Sequence, residues 1–474
     1  MAITNVWTRP QLWMPAYNPI VWSFLSDKIT EPNFSYVVEV WIATPSFSGR
    51  ITTLYQRPSA SGNCMVDVSA IVQSYLSLSN FYGTEIGTSS GNLYAKYGNQ
   101  LGSGSTLWNA CLEVYLVVGE QYNVSGVPVI FDGSGGQGTP GYTIVSNYSS
   151  SPVRAFPGAI PNPSSVSNIM STSVANSFAS PYIMDGNGLF LTRLGTTQSI
   201  MPGQHTTLSF LNQWDSGSPG TWASTVQGIQ MISYNAAGGS LGTQFLYNNT
   251  VNGGGPQTND AYTSTSFGIG TSILRVNVGT SRFTQPAGTA YYTVQAFRKS
   301  SATSSNTPGT ACSALYRFNL VSPPCSDLYP TVRVAWFNDL GGMDYYNFTM
   351  LYEKSTTSEG ETYNQSQINW DGAYPFSQTI TGDWWLKGGK KSFNKIVTTR
   401  MVLQTDWLTQ AEVDALGQIP ESPLVWAYIG QNTNEPVSLI VTNTEYTYSN
   451  VAQQKLVQVT LEAEWDKIQP KQNM

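Results

Sequence analysis

Charge is scarce in this sequence. Asp, Glu, Lys and Arg make up 11% of the 474 residues, against about 25% in an average soluble domain. Histidine is scarcer still: His205 stands alone, so neither a His-rich metal site nor a multi-histidine phosphotransfer centre can be assembled from this chain. The four cysteines, Cys64, Cys111, Cys312 and Cys325, are too few and too scattered to staple a chain of this length. They are expected as buried thiols. Cys312 and Cys325 are near enough in sequence to bridge if oxidised, a condition that a protein made in the cytosol does not ordinarily meet. No run of about 18 apolar residues occurs, so no membrane span is expected. The opening stretch has Pro and Asn interrupting its apolar residues and no small-residue cleavage site, which predicts a protein made and kept without secretion. A formal net charge of −6 lacks the cationic footprint that a general nucleic-acid binder needs.

Apolar and aromatic residues are plentiful. Hydrophobic residues form 41% of the chain, with 14 Trp, 27 Tyr and 18 Phe, enough to offset chain entropy and fold. The length corresponds to roughly three domains. Gly, Ser and Pro crowd residues 132–180, and 299–311 reads as a loop, which divides the chain near 150 and 325. The span 151–325 is the only net-positive one, with seven basic and three acidic residues.

Strand signals dominate. Val457, Val459, Leu461, Ala463 and Trp465 alternate with polar residues, the period of a half-buried strand. Tyr36, Val38, Val40 and Ile42 share a face in the same way, as do Leu112, Val114, Leu116 and Val118, and Val332, Val334 and Trp336. Two short helices have start or face signals. Thr409 and Glu412 form a capping box, with Leu408 and Val413 spaced as a hydrophobic staple and Pro420 as the stop. In 67–76, Val68, Ile71, Val72, Tyr75 and Leu76 fall on one helical face. The expected fold is mainly β: three antiparallel β-sandwich domains, immunoglobulin-like or jelly-roll-like, spanning 1–150, 151–325 and 326–474, the last with the capped helix.

Chemical motifs fail on context. Gly133, Gly135 and Gly138 satisfy a dinucleotide fingerprint but run on into TPGY rather than a helix. Gly87, Ser89 and Gly91 satisfy a nucleophile-elbow spacing within a polar loop. The GGKKS run at 388–392 has Trp384 where a phosphate loop needs glycine. Asp339 with Asp344, or Asp371 with Asp383, would suit a carboxylate-pair glycosidase, but Gly341 and Gly342 between the first two predict a hairpin turn. Asp185 to Gly188 begins like a calcium loop and then continues without further ligands, so a tight turn is expected. No catalytic residue, cofactor or metal is assigned.

Two aromatic stretches point to interfaces. Trp384 and Trp385 stand beside Lys387, Lys390, Lys391 and Lys395 in an expected exposed loop, suited to a protein-interface anchor or, alternatively, a glycan contact. Trp7, Trp13, Tyr17 and Trp22 suggest an N-terminal arm docking on a neighbour.

VRVAWFNDLGGMDYYNFTM (332–350), preceded by Cys325, resembles a recurring pattern in structural proteins of tailed bacteriophages, especially crAss-like and marine or flavobacterial phages. AYNPIVWSFLSDKITEPNFSYVVEVWI (16–42) with MVDVSAIVQSYL (65–76), and LQTDWLTQAEVDAL (403–416) with SPLVWAYI (422–429), are similar to the opening and closing modules of those proteins. The resemblance implies a virion component of tail, neck ring, baseplate or fibre, assembled in the host cytoplasm as a homo-oligomer among other virion proteins. It carries no catalytic residue to any position here. A receptor- or glycan-binding module of the same particle, meeting host surface glycan, is the alternative. An ion-poor, aromatic-rich surface suits copies that pack together, since little like-charge repulsion opposes association.

Overall fold

The computed structural model describes residues 3–10, 13–44, 47–76, 112–124, 127–130, 143–147, 153–159, 170–171, 180–182, 184, 186–212, 226–247, 272–279, 285–299, 308–321, 330–365, 389–429, 436–442 and 457–466. They form a mainly β protein with several antiparallel sheets. Two compact units emerge: Met1–Ser322 with Phe337–Asp344, and Pro323–Trp336 with Tyr345–Met474.

Among the described residues, the first unit holds two hydrophobic cores. Around the first are paired β1 (Ile3–Pro10), β2 (Trp13–Pro15), β3 (Val21–Ser26), β4 (Ser35–Thr44), β5 (Phe47–Gln56), β6 (Asn63–Asp67), β7 (Leu112–Val124), β8 (Val127–Ile130), β9 (Thr143–Asn147), β10 (Val153–Phe156) and β11 (Met170–Ser171), with α1 (Ser69–Tyr75). One sheet has the order β11-β1-β3-β6; the other runs β2-β10-β7-β4-β5, with β8 and β9 also on β7. The alternating faces of β4 and β7 meet Trp22 and Phe24 of β3 and Cys64 and Val66 of β6 in one core, which makes this a sandwich. Each such side chain, fully buried, contributes about 1.5–3 kcal/mol. Val68 and Val72 bring α1 onto that core, while Tyr75 stays exposed. The N-terminal stretch is no arm: β1 pairs with β3, β2 with β10, and Trp13 and Trp22 are buried, because their strands complete the sandwich.

The second core belongs to β12 (Thr197–Ile200), β13 (His205–Asn212), β14 (Val226–Tyr234), β15 (Ser240–Tyr247), β16 (Ser272–Gly279), β17 (Tyr291–Lys299), β18 (Pro308–Ala311) and β19 (Tyr316–Leu320). The pair β13-β16 and the sheet β12-β19-β17-β14-β15, with β18 on β17, share a core where Leu208 and Phe210 join Ile229, Met231, Val294 and Phe318.

The second unit contains β20 (Val332–Phe337) and β21 (Met343–Phe348) apart from their hairpin end Phe337–Asp344, which belongs to the first unit, together with β22 (Leu351–Gln365), β23 (Gly389–Gln404), α2 (Gln410–Leu416), β24 (Val425–Ile429), β25 (Val437–Val441) and β26 (Thr460–Trp465). They form one sheet ordered β21-β20-β24-β25-β26-β23-β22. Val413 and Leu416 of α2 bury with Val334, Trp336, Leu403 and Leu461. The Glu412 carboxylate accepts from the Thr409 N–H at 2.9 Å and its hydroxyl at 2.8 Å, and Leu408 and Val413 are both buried, as the box and staple predict. Thr409→Ala removes the cap and is expected to cost about 1 kcal/mol, read as a lower midpoint in urea unfolding.

Candidate functional site

The outermost pair of the second unit's sheet continues past the rest of it. β22 and β23 pair from Leu351 with Gln404 out to Gln365 with Gly389, but β26 supports β23 only from Arg400 to Gln404. The base is tied by an Arg400–Glu462 ion pair and by Lys354, whose ammonium sits 4.4 Å from the Trp465 ring centre. Beyond that base, no described strand flanks either edge. The ten β22 residues 356–365 give a ribbon about 33 Å long, at roughly 3.3 Å per residue.

Every residue in 353–364 is exposed, so this part of β22 has no buried face. The local sequence KSTTSEGETYN explains why: Ser, Thr and Glu occupy both alternating positions, leaving no apolar stripe to turn inward. Its β-forming Thr and Tyr still favour extended backbone. A two-stranded ribbon exposed in this way is marginally stable in water by itself. Tyr363 and Ile396 are exposed large side chains on it.

Lys390 and Lys391 lie on this ribbon, opposite Asn364 and Tyr363; Lys390 is exposed and Lys391 half-buried. The expected loop is therefore a strand from Gly389 onward, held by pairing with β22. The same fact sets 389–392 in a strand, whereas a phosphate loop would feed a helix. Trp384, Trp385 and Lys387 lie outside the described residues, as do Asp371, Asp383, Cys111, Cys325 and the two glycine motifs.

A second polar cluster lies in the first unit, where Phe337–Asp344 packs with the segment after Phe190. Residues 338–342 form the hairpin turn between β20 and β21: the Gly341 N–H reaches the Asn338 carbonyl at 3.1 Å, with Gly341 at φ +82°. The Asn338 amide donates to the Leu191 carbonyl at 3.0 Å and to Asp344 Oδ2 at 2.9 Å. Asp344 also accepts the Arg193 backbone N–H at 3.0 Å and the Thr192 hydroxyl. The Arg193 guanidinium grips both Asp339 oxygens, at 2.7 and 2.6 Å.

Burial pushes the Asp344 carboxyl up to about 6, against the opposing pull of its hydrogen bonds from Thr192, Asn338 and Arg193; the Asp339 charge pushes it further up. Tyr316 is likewise raised to about 12 by burial, while its hydroxyl accepts the Phe190 N–H at 3.2 Å. Asp339 and Asp344, which a glycosidase pair could have used, thus bind groups of the protein itself and fasten the hairpin turn that Gly341 and Gly342 predict. Thr192 and Arg193 carried no sequence signal, because the Arg193–Asp339 contact joins residues 146 apart.

His205 opens β13, opposite Gly279. Cys64 and Cys312 are buried thiols, and burial drives Cys64 up to about 12. Among the described residues, no three His, Cys, Asp or Glu side chains gather as a metal site, and no helix is long and apolar enough to cross a membrane. No family model matches the chain, and no curated protein matches it.

Proposed function

We propose that this protein is a structural subunit of a tailed-bacteriophage particle, in the tail, neck ring or baseplate, acting through interfaces with its own copies and with other virion proteins. The observation that carries the reading is the β22–β23 ribbon, a long pair with one strand exposed on both faces and no apolar side to bury within its own unit. Such a ribbon gains its stability where another surface covers it. The three sequence stretches that resemble phage virion proteins supply the setting, and assembly in the host cytoplasm followed by residence in the virion goes with them.

The test is quantitative mass spectrometry of gradient-purified particles, joined with labelling of the chain for electron microscopy. Many stoichiometric copies at one fixed position in the particle are expected. Absence from intact particles that contain their other tail and neck proteins would overturn the reading.

A further inference from the structure

The ribbon's two edges carry opposite charge. The outer segment of β22, beyond its base, has Glu359 and Glu361 and no cation. The outer segment of β23 has Lys390, Lys391 and Lys395 and no anion. Each strand also has one open edge of backbone N–H and C=O groups beyond the base, since no described strand flanks the pair there. An acidic edge and a basic edge on one ribbon make it complementary to a copy of itself displaced sideways.

We infer that the ribbon pairs with a second copy of this chain, the acidic β22 edge of one copy adding to the basic β23 edge of the next. This deepens the proposed virion role and rests on it for its setting. The strand directions agree with the inference. When copies are related by rotation about an axis parallel to the ribbon, their ribbons point the same way, and β23 of one then lies antiparallel to β22 of the next, forming a continuous antiparallel sheet.

Register adds side-chain complementarity. Glu361 pairs with position 393 within its own ribbon, and Tyr363 pairs with Lys391. With no axial stagger between copies, the incoming Glu361 lies diagonal to Lys391 on the same face, within reach of a long side chain. The incoming Tyr363 falls directly opposite Lys391, where its ring covers the lysine stem. The contact is heterologous, so the same step repeated around an axis closes a ring, and a step that fails to close gives a filament.

The experiment uses the full-length chain and two double variants, Glu359→Lys/Glu361→Lys and Lys390→Glu/Lys391→Glu, followed by analytical ultracentrifugation and native mass spectrometry. Wild type is expected to associate, and each double variant alone to lose at least tenfold in association constant, because its two edges now repel. An equimolar mixture of the two variants is expected to recover association as an alternating assembly, since every junction then joins opposite charges. Recovery in the mixture separates pairing from misfolding, as neither variant could regain a lost fold by being mixed.

A wild-type chain that stays monomeric at about 100 μM, variants that associate as wild type does, or a mixture that gains nothing would each overturn the pairing. Those results leave the virion role standing, because particle composition is measured separately. Conversely, pairing with absence from particles would keep the edge contact and remove only its setting.

Discussion

Replacing Asp344 by Ala is expected to lower the stability of the first unit by about 2–4 kcal/mol at pH 7, more than any surface change. The carboxylate is 1% exposed and accepts from the Asn338 amide, the Arg193 N–H and the Thr192 hydroxyl. Alanine leaves all three donors facing one another across a gap that supplies no acceptor. Each stranded donor costs about 1–3 kcal/mol, and the total is reduced because the mutant no longer buries a charge. Asp344→Asn is the informative companion. Its amide oxygen can still accept from Arg193 and Asn338, and its NH2 group can donate to Thr192 once that hydroxyl turns.

The two variants separate through pH. Burial raises the folded-state carboxyl from its ordinary 3.8 to about 6, so between those values the folded protein holds a proton that the unfolded chain has released. Stability attributable to this group is therefore fully present below about pH 4 and is lost as pH rises through about 6. The span corresponds to about 3 kcal/mol at 1.36 kcal/mol per unit. Glu120, also raised chiefly by burial, acts in the same direction. Urea unfolding of the first unit should show wild type losing stability relative to Asp344→Asn from pH 4 to pH 7.5. A constant difference across that range would mean that Asp344 does not titrate in the folded protein within it.

What could be read from the sequence follows from what each signal depends on. The inward faces of β4, β7 and β20 were legible because apolar residues recur there at every second position, and those residues are buried; that β20 is buried on its other face as well, through Arg333, Ala335 and Phe337, was not. The α2 start was legible because a capping box is local, closed by Thr409 and Glu412 alone. The ribbon was hidden for the opposite reason: an unburied strand has no apolar period, so nothing in 353–364 marks β22 as a strand. The N-terminal aromatics read as an arm because aromatic residues suit an interface and a core equally, and only pairing of β2 with β10 decides between them. The Arg193–Asp339–Asp344 cluster depends on chain positions brought together by the fold, which local spacing does not encode.

The hairpin turn within that cluster makes the second large prediction. A Cβ added at Gly342 would stand 1.9 Å from the Leu191 carbonyl oxygen, and one at Gly341 would stand 2.3 Å from the Pro157 carbonyl oxygen. Both obstacles are backbone, so no rotamer change relieves them, and the turn must withdraw from the segments it touches. Gly341 carries the added strain of φ +82° for an L side chain. Withdrawal would take Asn338 and Asp344 away from Leu191, Thr192 and Arg193 together, since the Asn338 amide is bonded to the Asp344 carboxylate across the hairpin. Gly342→Ala is therefore expected to cost more than 3 kcal/mol, on the order of the largest single-site losses, and to speed amide exchange at Arg193 and Leu194 in the same variant. Gly195→Ala is the matched control: its Cβ would meet nothing within 4 Å, so a change under about 0.5 kcal/mol is expected. Equal stability of the Gly342 variant and this control would show that the turn does not seat against Leu191, and the Asp344 hydrogen bonds would lose their geometric basis with it.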